Sequence, residues 1–100
     1  MGSIPVGATI KLMYTVYILY SESFDSYYIG YTKDIKARFT AHNNGLNKST
    51  KRYIPWKLVG EVTKTTKKEA MELEGKLKRL TKQRKRAFII KHCKGGAPQP

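Results

Sequence analysis

Apolar residues first gather in a run with no polar face. Tyr14 to Tyr20 (YTVYILY) is rich in aromatic and β-branched residues on both sides of the pleat, which predicts a central strand. Ser21 to Ser26 (SESFDS) supplies turn residues, and Tyr27 to Tyr31 (YYIGY) reads as the returning strand of a hairpin. Gly30 inside that strand marks a bulge or the close approach of another group. Thr32 or Asp34 is placed to cap a helix with Ile35, Phe39 and Ala41 along one side, and Asn43, Asn44 and Gly45 end it. Lys57 to Val62 (KLVGEV), after Pro55, predicts a third strand. A second helix starts near Thr66, where Thr66 and Glu69 have capping-box spacing, and carries Ala70, Leu73, Leu77 and Leu80 at helical period. Lys82 to Lys91 predicts a third helix or an extension, burying Ala87, Phe88 and Ile89 or Ile90. The order β-β-α-β-α-α predicts an α+β fold: a small three-stranded, at least partly antiparallel sheet flanked by helices.

Length narrows the picture further. One hundred residues allow one domain with an economical core. Residues 1–12 (MGSIPVGATIKL) have no clear period and are expected to be a leader or loose arm, with Met13 as an alternative start. They lack the charged n-region and long h-region of a signal peptide, and Val6 breaks the myristoylation pattern. Residues 93–100 are expected to be a flexible tail, leaving 13–92 as the ordered domain. The longest apolar run, Val16 to Leu19, is far too short to span a membrane. A lone Cys93 excludes a disulfide framework and fits a reducing, cytoplasmic setting. His92 beside it has no further Cys partners, which argues against a zinc site.

Charge points to a partner. Twenty Lys and Arg oppose seven Asp and Glu, a net +13. Such an excess predicts a polyanion, nucleic acid ahead of an anionic membrane surface. The polar residues on apolar helix sides are more specific. Arg38 and His42 are spaced i, i+4 at the edge of the first helix's core stripe. In the second helix only Glu74 lies four after Ala70 and three before Leu77, so it is carried toward the core. Taken singly, Glu74 reads as a salt bridge to Lys78 and Arg38 as a cap over the sheet. Together, beside a Tyr-rich hairpin, they point to a site.

These motifs resemble the GIY-YIG nuclease superfamily, and within it the small stand-alone proteins similar to the N-terminal nuclease domain of the excision-repair protein UvrC. The first motif stands as Thr15-Val16-Tyr17 and the second as Tyr28-Ile29-Gly30. Asp34 to His42 (DIKARFTAH) carries the Arg-x3-His of the family's helix. Asn43-Asn44-Gly45, Ser49-Thr50-Lys51 and Pro55-Trp56-Lys57-Leu58-Val59 resemble the stretch that follows in stand-alone members. Glu69-Ala70, Glu74 and Leu77-Lys78 match the metal-bearing helix. Two positions depart: Thr15 replaces Gly, and no Asn follows Asn47, Arg86 falling near the place where many members carry one.

The resemblance implies a metal-dependent DNA endonuclease, with a place in DNA repair or recombination. It implies that Glu74 binds one Mg²⁺ or Mn²⁺ and that Arg38 offers a bidentate fork to phosphate oxygens, which Lys cannot match. Tyr17 becomes the general base, His42 the group able to take its proton, and Tyr28 a hydrogen-bond partner of the phosphate or attacking water. Tyr14, Tyr20, Tyr27 and Tyr31 hold no motif position and read as hairpin core.

The basic residues supply a track for backbone phosphates. Lys78, Lys82, Arg84, Lys85 and Arg86 belong to a dense C-terminal cluster, and Lys48, Lys51, Arg52 and Lys57 extend it past Trp56. Trp56 either stacks on a base or packs beneath its loop. The competing class is a basic DNA- or RNA-binding module on the same fold, with weak or no turnover. A third reading is a nuclease domain that needs a protein partner for specificity.

Overall fold

The structure is a computed structural model that describes residues 13–92. The expected leader (1–12) and tail (93–100, with Cys93) lie outside the described residues. In chain order the elements are β1 (Tyr14–Ser21), β2 (Ser26–Thr32), α1 (Ile35–Asn43), a 3₁₀ turn (Lys51–Tyr53), β3 (Trp56–Lys64), α2 (Lys67–Lys78) and α3 (Lys82–His92). The sheet order is β2-β1-β3, and both pairings are antiparallel. This is the expected α+β fold, with every strand pair antiparallel.

β1 is central because both of its faces are covered. Successive strand residues point to opposite sides of a sheet. Val16 and Ile18 therefore join Ile29, Ala70, Leu77 and Ile89 beneath α2 and α3. Tyr17 and Leu19 face the other way, with Trp56, Tyr28, Ile35, Phe39 and Leu58, beneath α1 and the 3₁₀ turn. Burying an aliphatic or aromatic side chain of this kind contributes about 1.5–3 kcal/mol. A register shift between Ile18 and Leu19, which face Gly60 and Leu58, bulges β3 at Val59.

Local chemistry ends each helix. Asp34 caps α1: its carboxylate accepts the Ala37 N–H at 3.1 Å, while Thr32 Oγ1 accepts the Asp34 N–H at 3.1 Å. At the other end Gly45 adopts φ +74°, its N–H reaches the His42 carbonyl at 3.2 Å and the Leu46 N–H reaches the Ala41 carbonyl at 3.1 Å. That is a Schellman stop, which a left-handed glycine makes without a Cβ penalty. Thr66 caps α2 by accepting the Glu69 N–H at 3.1 Å, but the Glu69 carboxylate turns to the Thr65 hydroxyl, also at 3.1 Å, so the capping box is only half made. The third helix buries Ile89, while Ala87 and Ile90 are exposed, against the expectation that Ala87 would be covered. Only one stripe of an eleven-residue helix can meet a three-stranded sheet already shared with α2.

Candidate active site

Residue by residue, the site is assembled around Tyr17. Its Cα partner across β1 and β2 is Gly30, and its ring lies over that glycine. A Cβ on residue 30 would stand 2.7 Å from the Tyr17 hydroxyl and 2.9 Å from Cζ. The glycine therefore serves a close approach, as expected, and the group approaching is the tyrosine of the first motif. Tyr17 is 2% exposed.

α1 brings His42 to the same hydroxyl. His42 Nε2 is 3.1 Å from Tyr17 Oη, and its Nδ1 is 2.8 Å from Thr50 Oγ1. Thr50 directs its own hydrogen to the Asn47 carbonyl at 3.4 Å. Its oxygen must then accept from Nδ1–H, which leaves Nε2 bare to accept the Tyr17 O–H. The line runs Tyr17 to His42 to Thr50, with His42 1% and Thr50 2% exposed. Burial first, and the positive charge of Arg38 second, pushes the imidazole below its ordinary value near 6.5, so His42 is neutral at pH 7.

Two further hydrogen bonds hold this arrangement to the sheet. The Asn43 side chain accepts the Trp56 N–H at 2.7 Å and donates to the Trp56 carbonyl at 3.0 Å, pinning the end of α1 to the start of β3. The Trp56 indole N–H donates to the Thr50 carbonyl at 3.0 Å. Trp56 is thus buried beneath its loop, the packing alternative of the two expected for it.

Tyr28 borders the pair, its ring centroid 4.8 Å from that of His42 and 6.2 Å from that of Tyr17. Burial, reinforced by Tyr28 and Glu74 and opposed by Arg38, raises the Tyr17 phenol well above its ordinary value. Tyr17 is therefore a protonated donor at neutral pH. The same balance shows that Arg38 from α1 and Glu74 from α2 both act on this hydroxyl. Arg38 is exposed, while the Glu74 side chain is 22% exposed and meets Lys78 Nζ at 3.5 Å, the expected i, i+4 pair. Tyr17, Tyr28 and His42 thus pack together, with Arg38 and Glu74 near enough for their charges to bear on the Tyr17 hydroxyl.

The basic residues divide. Lys57 pairs with Glu22 at 3.0 Å, and Lys82 with Asp25 at 3.1 Å. Lys85 donates to the Leu80 carbonyl at 2.7 Å and so closes the end of the α2 segment. Arg86 lies 3.9 Å from Asp25 and against the Tyr27 hydroxyl, which stabilises its charge. Tyr27 pairs with Tyr20 and belongs to the α2–α3 side of the sheet, so Arg86 is anchored there by Asp25 and Tyr27. Lys48, Lys51, Arg52 and Arg84 are exposed, and none of them is within 4.0 Å of a carboxylate among the described residues.

Sequence reasoning gave no role to Thr50 or to the Asn43 side chain. Thr50 lies eight residues beyond His42 across a loop, where no periodicity connects them. One of two adjacent hydroxyl residues, Ser49 and Thr50, in a basic loop carries no signal that it is the buried one.

Comparison with known proteins identifies the family. A UPF0213 protein of Staphylococcus epidermidis is 46% identical over 65 residues, covering 64% of this chain and 79% of the relative. A UPF0213 protein of Streptococcus agalactiae is 37% identical over 84 residues, covering 83% and 94%. The solution NMR structure of a UPF0213 protein from Bacillus halodurans has a TM-score of 0.54 at 34% identity, covering 85% of this chain and 88% of that one. A family model described as the GIY-YIG catalytic domain matches residues 13–87, a span that holds both tyrosines, the Arg-x3-His helix and Glu74, and the chain belongs to the GIY-YIG family.

Proposed function

We propose that the protein is a metal-dependent DNA endonuclease that hydrolyses phosphodiester bonds. The observation that carries this reading is the buried contact from the Tyr17 hydroxyl to the bare Nε2 of a neutral His42, at 3.1 Å, beside Arg38 and Glu74. A phenol with a raised pKa is a poor base alone. It accepts a proton only as its own leaves, and His42 stands in line to receive that proton. In the attack, water gives its proton to Tyr17 Oη, the Tyr17 proton passes to Nε2, and the hydroxide oxygen bonds to phosphorus. The P–O bond to the leaving oxygen then breaks, and that oxygen departs as an alkoxide that takes a proton from solvent. His42 is left as an imidazolium with Nδ1–H still donated to Thr50, its extra proton returning to solvent before the next turnover. A positioned acid–base relay of this kind contributes about 10²–10⁴-fold.

Arg38 is placed to neutralise charge building on the non-bridging phosphate oxygens, where its fork engages two at once. Glu74 would hold the divalent ion, Mg²⁺ or Mn²⁺. No cluster of three His, Cys, Asp or Glu side chains gathers as a metal cage among the described residues. A single half-buried carboxylate, with one cation at 3.5 Å, suits an ion that keeps several waters and takes further oxygens from phosphate. When bound, such an ion supplies Lewis-acid polarisation of the phosphodiester and stabilises the leaving oxygen.

Nicking of supercoiled plasmid with Mg²⁺ or Mn²⁺ tests the reading, comparing wild type with Glu74→Gln and Arg38→Ala purified identically. The expected result is nicking by wild type only, with salt-sensitive DNA binding retained by Glu74→Gln. Nicking that survives both substitutions overturns the site. Binding without cleavage in all three proteins, on plasmid and on a single-stranded circle alike, favours a nucleic-acid-binding module, or a nuclease that needs a partner, over the stand-alone enzyme.

A further inference from the structure

The exposed aromatic beside the basic track is Phe24, not Trp56. Phe24 is 46% exposed at the tip of the β1–β2 hairpin. Its ring meets Tyr53 edge-on, with centroids 4.9 Å apart and an interplanar angle of 77°. The Arg52 guanidinium lies over both rings, 5.9 Å from Phe24 and 5.6 Å from Tyr53. Two distant segments, the hairpin tip and the 3₁₀ turn, thereby build one small platform of two rings and a guanidinium plane.

Charge around the platform fits a polyanion. Arg52 is exposed and flanked by exposed Lys51 and Lys48, none with a carboxylate within 4.0 Å among the described residues. The two acids near Phe24 in sequence are already engaged, Glu22 with Lys57 and Asp25 with Lys82. A continuous row of rings then leads inward: Tyr53 to Trp56 at 5.7 Å, Trp56 to Tyr28 at 6.2 Å, and Tyr28 to His42 at 4.8 Å. The platform therefore stands a short way along the same face from the Tyr17–His42 pair.

Resting on the reading of that pair as a phosphodiester site, we propose that Phe24, Tyr53 and Arg52 form a stacking platform for an unpaired base of the bound strand. The preferred substrate then carries single-stranded or splayed nucleotides beside the scissile bond. Stacking on an aromatic face is open to any base and closed to bases held within a duplex, because only an unpaired base presents its π-face. Arg52 keeps its N–H groups for phosphate while its plane packs on the rings.

Fluorescence anisotropy without divalent ions tests this independently of turnover. The probes are short labelled oligothymidylate, oligouridylate and a matched duplex; the proteins are wild type, Phe24→Ala, Phe24→Leu and Phe24→Trp. Phe24→Ala and Phe24→Leu are expected to lose about fivefold or more in single-strand affinity, with duplex affinity held within about twofold, and Phe24→Trp to bind as wild type. Loss on both single strands assigns the platform to either nucleic acid, and loss on one assigns it to that one. Equal losses on duplex and single strand overturn the platform, and so does an unchanged Phe24→Ala, as expected of a protein-docking patch. If wild type nicks plasmid while Phe24→Ala binds single strands normally, the platform fails and the nuclease reading stands. If wild type cleaves neither plasmid nor the single strands but shows the Phe24-dependent single-strand preference, the reverse holds.

Discussion

Gly30 and Tyr17 face each other across β1 and β2, and the space where a Cβ of residue 30 would sit is filled by the tyrosine ring and hydroxyl, the nearest atom 2.7 Å away. The glycine is thus a requirement of where the phenol lies. Tyr17 is held from below by this contact and from the side by His42.

Gly30→Ala is therefore expected to displace Tyr17 rather than unfold the protein. Overpacking of this kind costs about 1–3 kcal/mol, and the altered Tyr17–His42 geometry should lower nicking by at least about tenfold. Thermal melts and plasmid nicking run together check it. Unchanged nicking would mean that the hydroxyl does not act from its buried position.

Tyr17→Phe keeps the ring and removes only the hydroxyl. Nicking is expected to fall by about 10²–10⁴-fold, with single-strand and duplex affinities unaltered. Stability should drop by about 1–3 kcal/mol, because Nε2 of buried His42 loses its donor. A variant that nicks normally would transfer the base's role to Tyr28.

Thr50 positions His42 without reaching the phosphate. Thr50→Val preserves shape but removes the acceptor for Nδ1–H, 2.8 Å away. Turnover should fall with little change in DNA affinity, and the acid limb of the pH–rate profile should move as the His42 tautomer is released. Thr50→Ser is expected to restore both. A Thr50→Val enzyme with wild-type rate and profile would show the contact to be packing alone.

Stability should depend on pH through His42. Burial, then Arg38, lowers its folded pKa below the unfolded value of 6.5. The unfolded chain therefore binds more protons just below pH 6.5, and stability falls as pH drops through that window. The contribution is fully present above the unfolded value. Tyr17 shifts the opposite way, so its contribution is present below pH 10 and is lost only in strong alkali. Urea unfolding at pH 7.5 and 5.5 should show the acid loss in wild type, and a smaller loss in His42→Asn. Equal losses would assign the dependence to other groups.

Two cations of the basic track should behave differently. Lys85 closes the end of α2 through the Leu80 carbonyl, whereas Lys51 is exposed and has no carboxylate within 4.0 Å among the described residues. Lys85→Ala is expected to cost about 1 kcal/mol of stability while leaving the salt dependence of DNA binding unchanged. Lys51→Ala should leave stability unchanged and reduce the slope of log affinity against log salt by about 1. The reverse pattern would displace the phosphate track to α3.

The elements were legible in the residues themselves because each depends on neighbours in the chain. An apolar run on both faces makes β1 central, Asp34 and Thr66 cap the helices that follow them, and Asn44-Gly45 stops α1 by left-handed backbone geometry. Spacing alone also put Arg38 and His42 on one helix face and carried Glu74 inward. What tertiary structure decided depends on groups far apart in sequence. Strand register set Tyr17 over Gly30, a loop crossing brought Thr50 beneath His42, and the hairpin tip met the 3₁₀ turn to join Phe24 with Arg52. The same packing put Trp56 under cover and held Arg86 against Asp25 and Tyr27. A periodic pattern records which way a side chain points along its own element, but the partner it meets there is chosen by packing between elements, which no local pattern encodes.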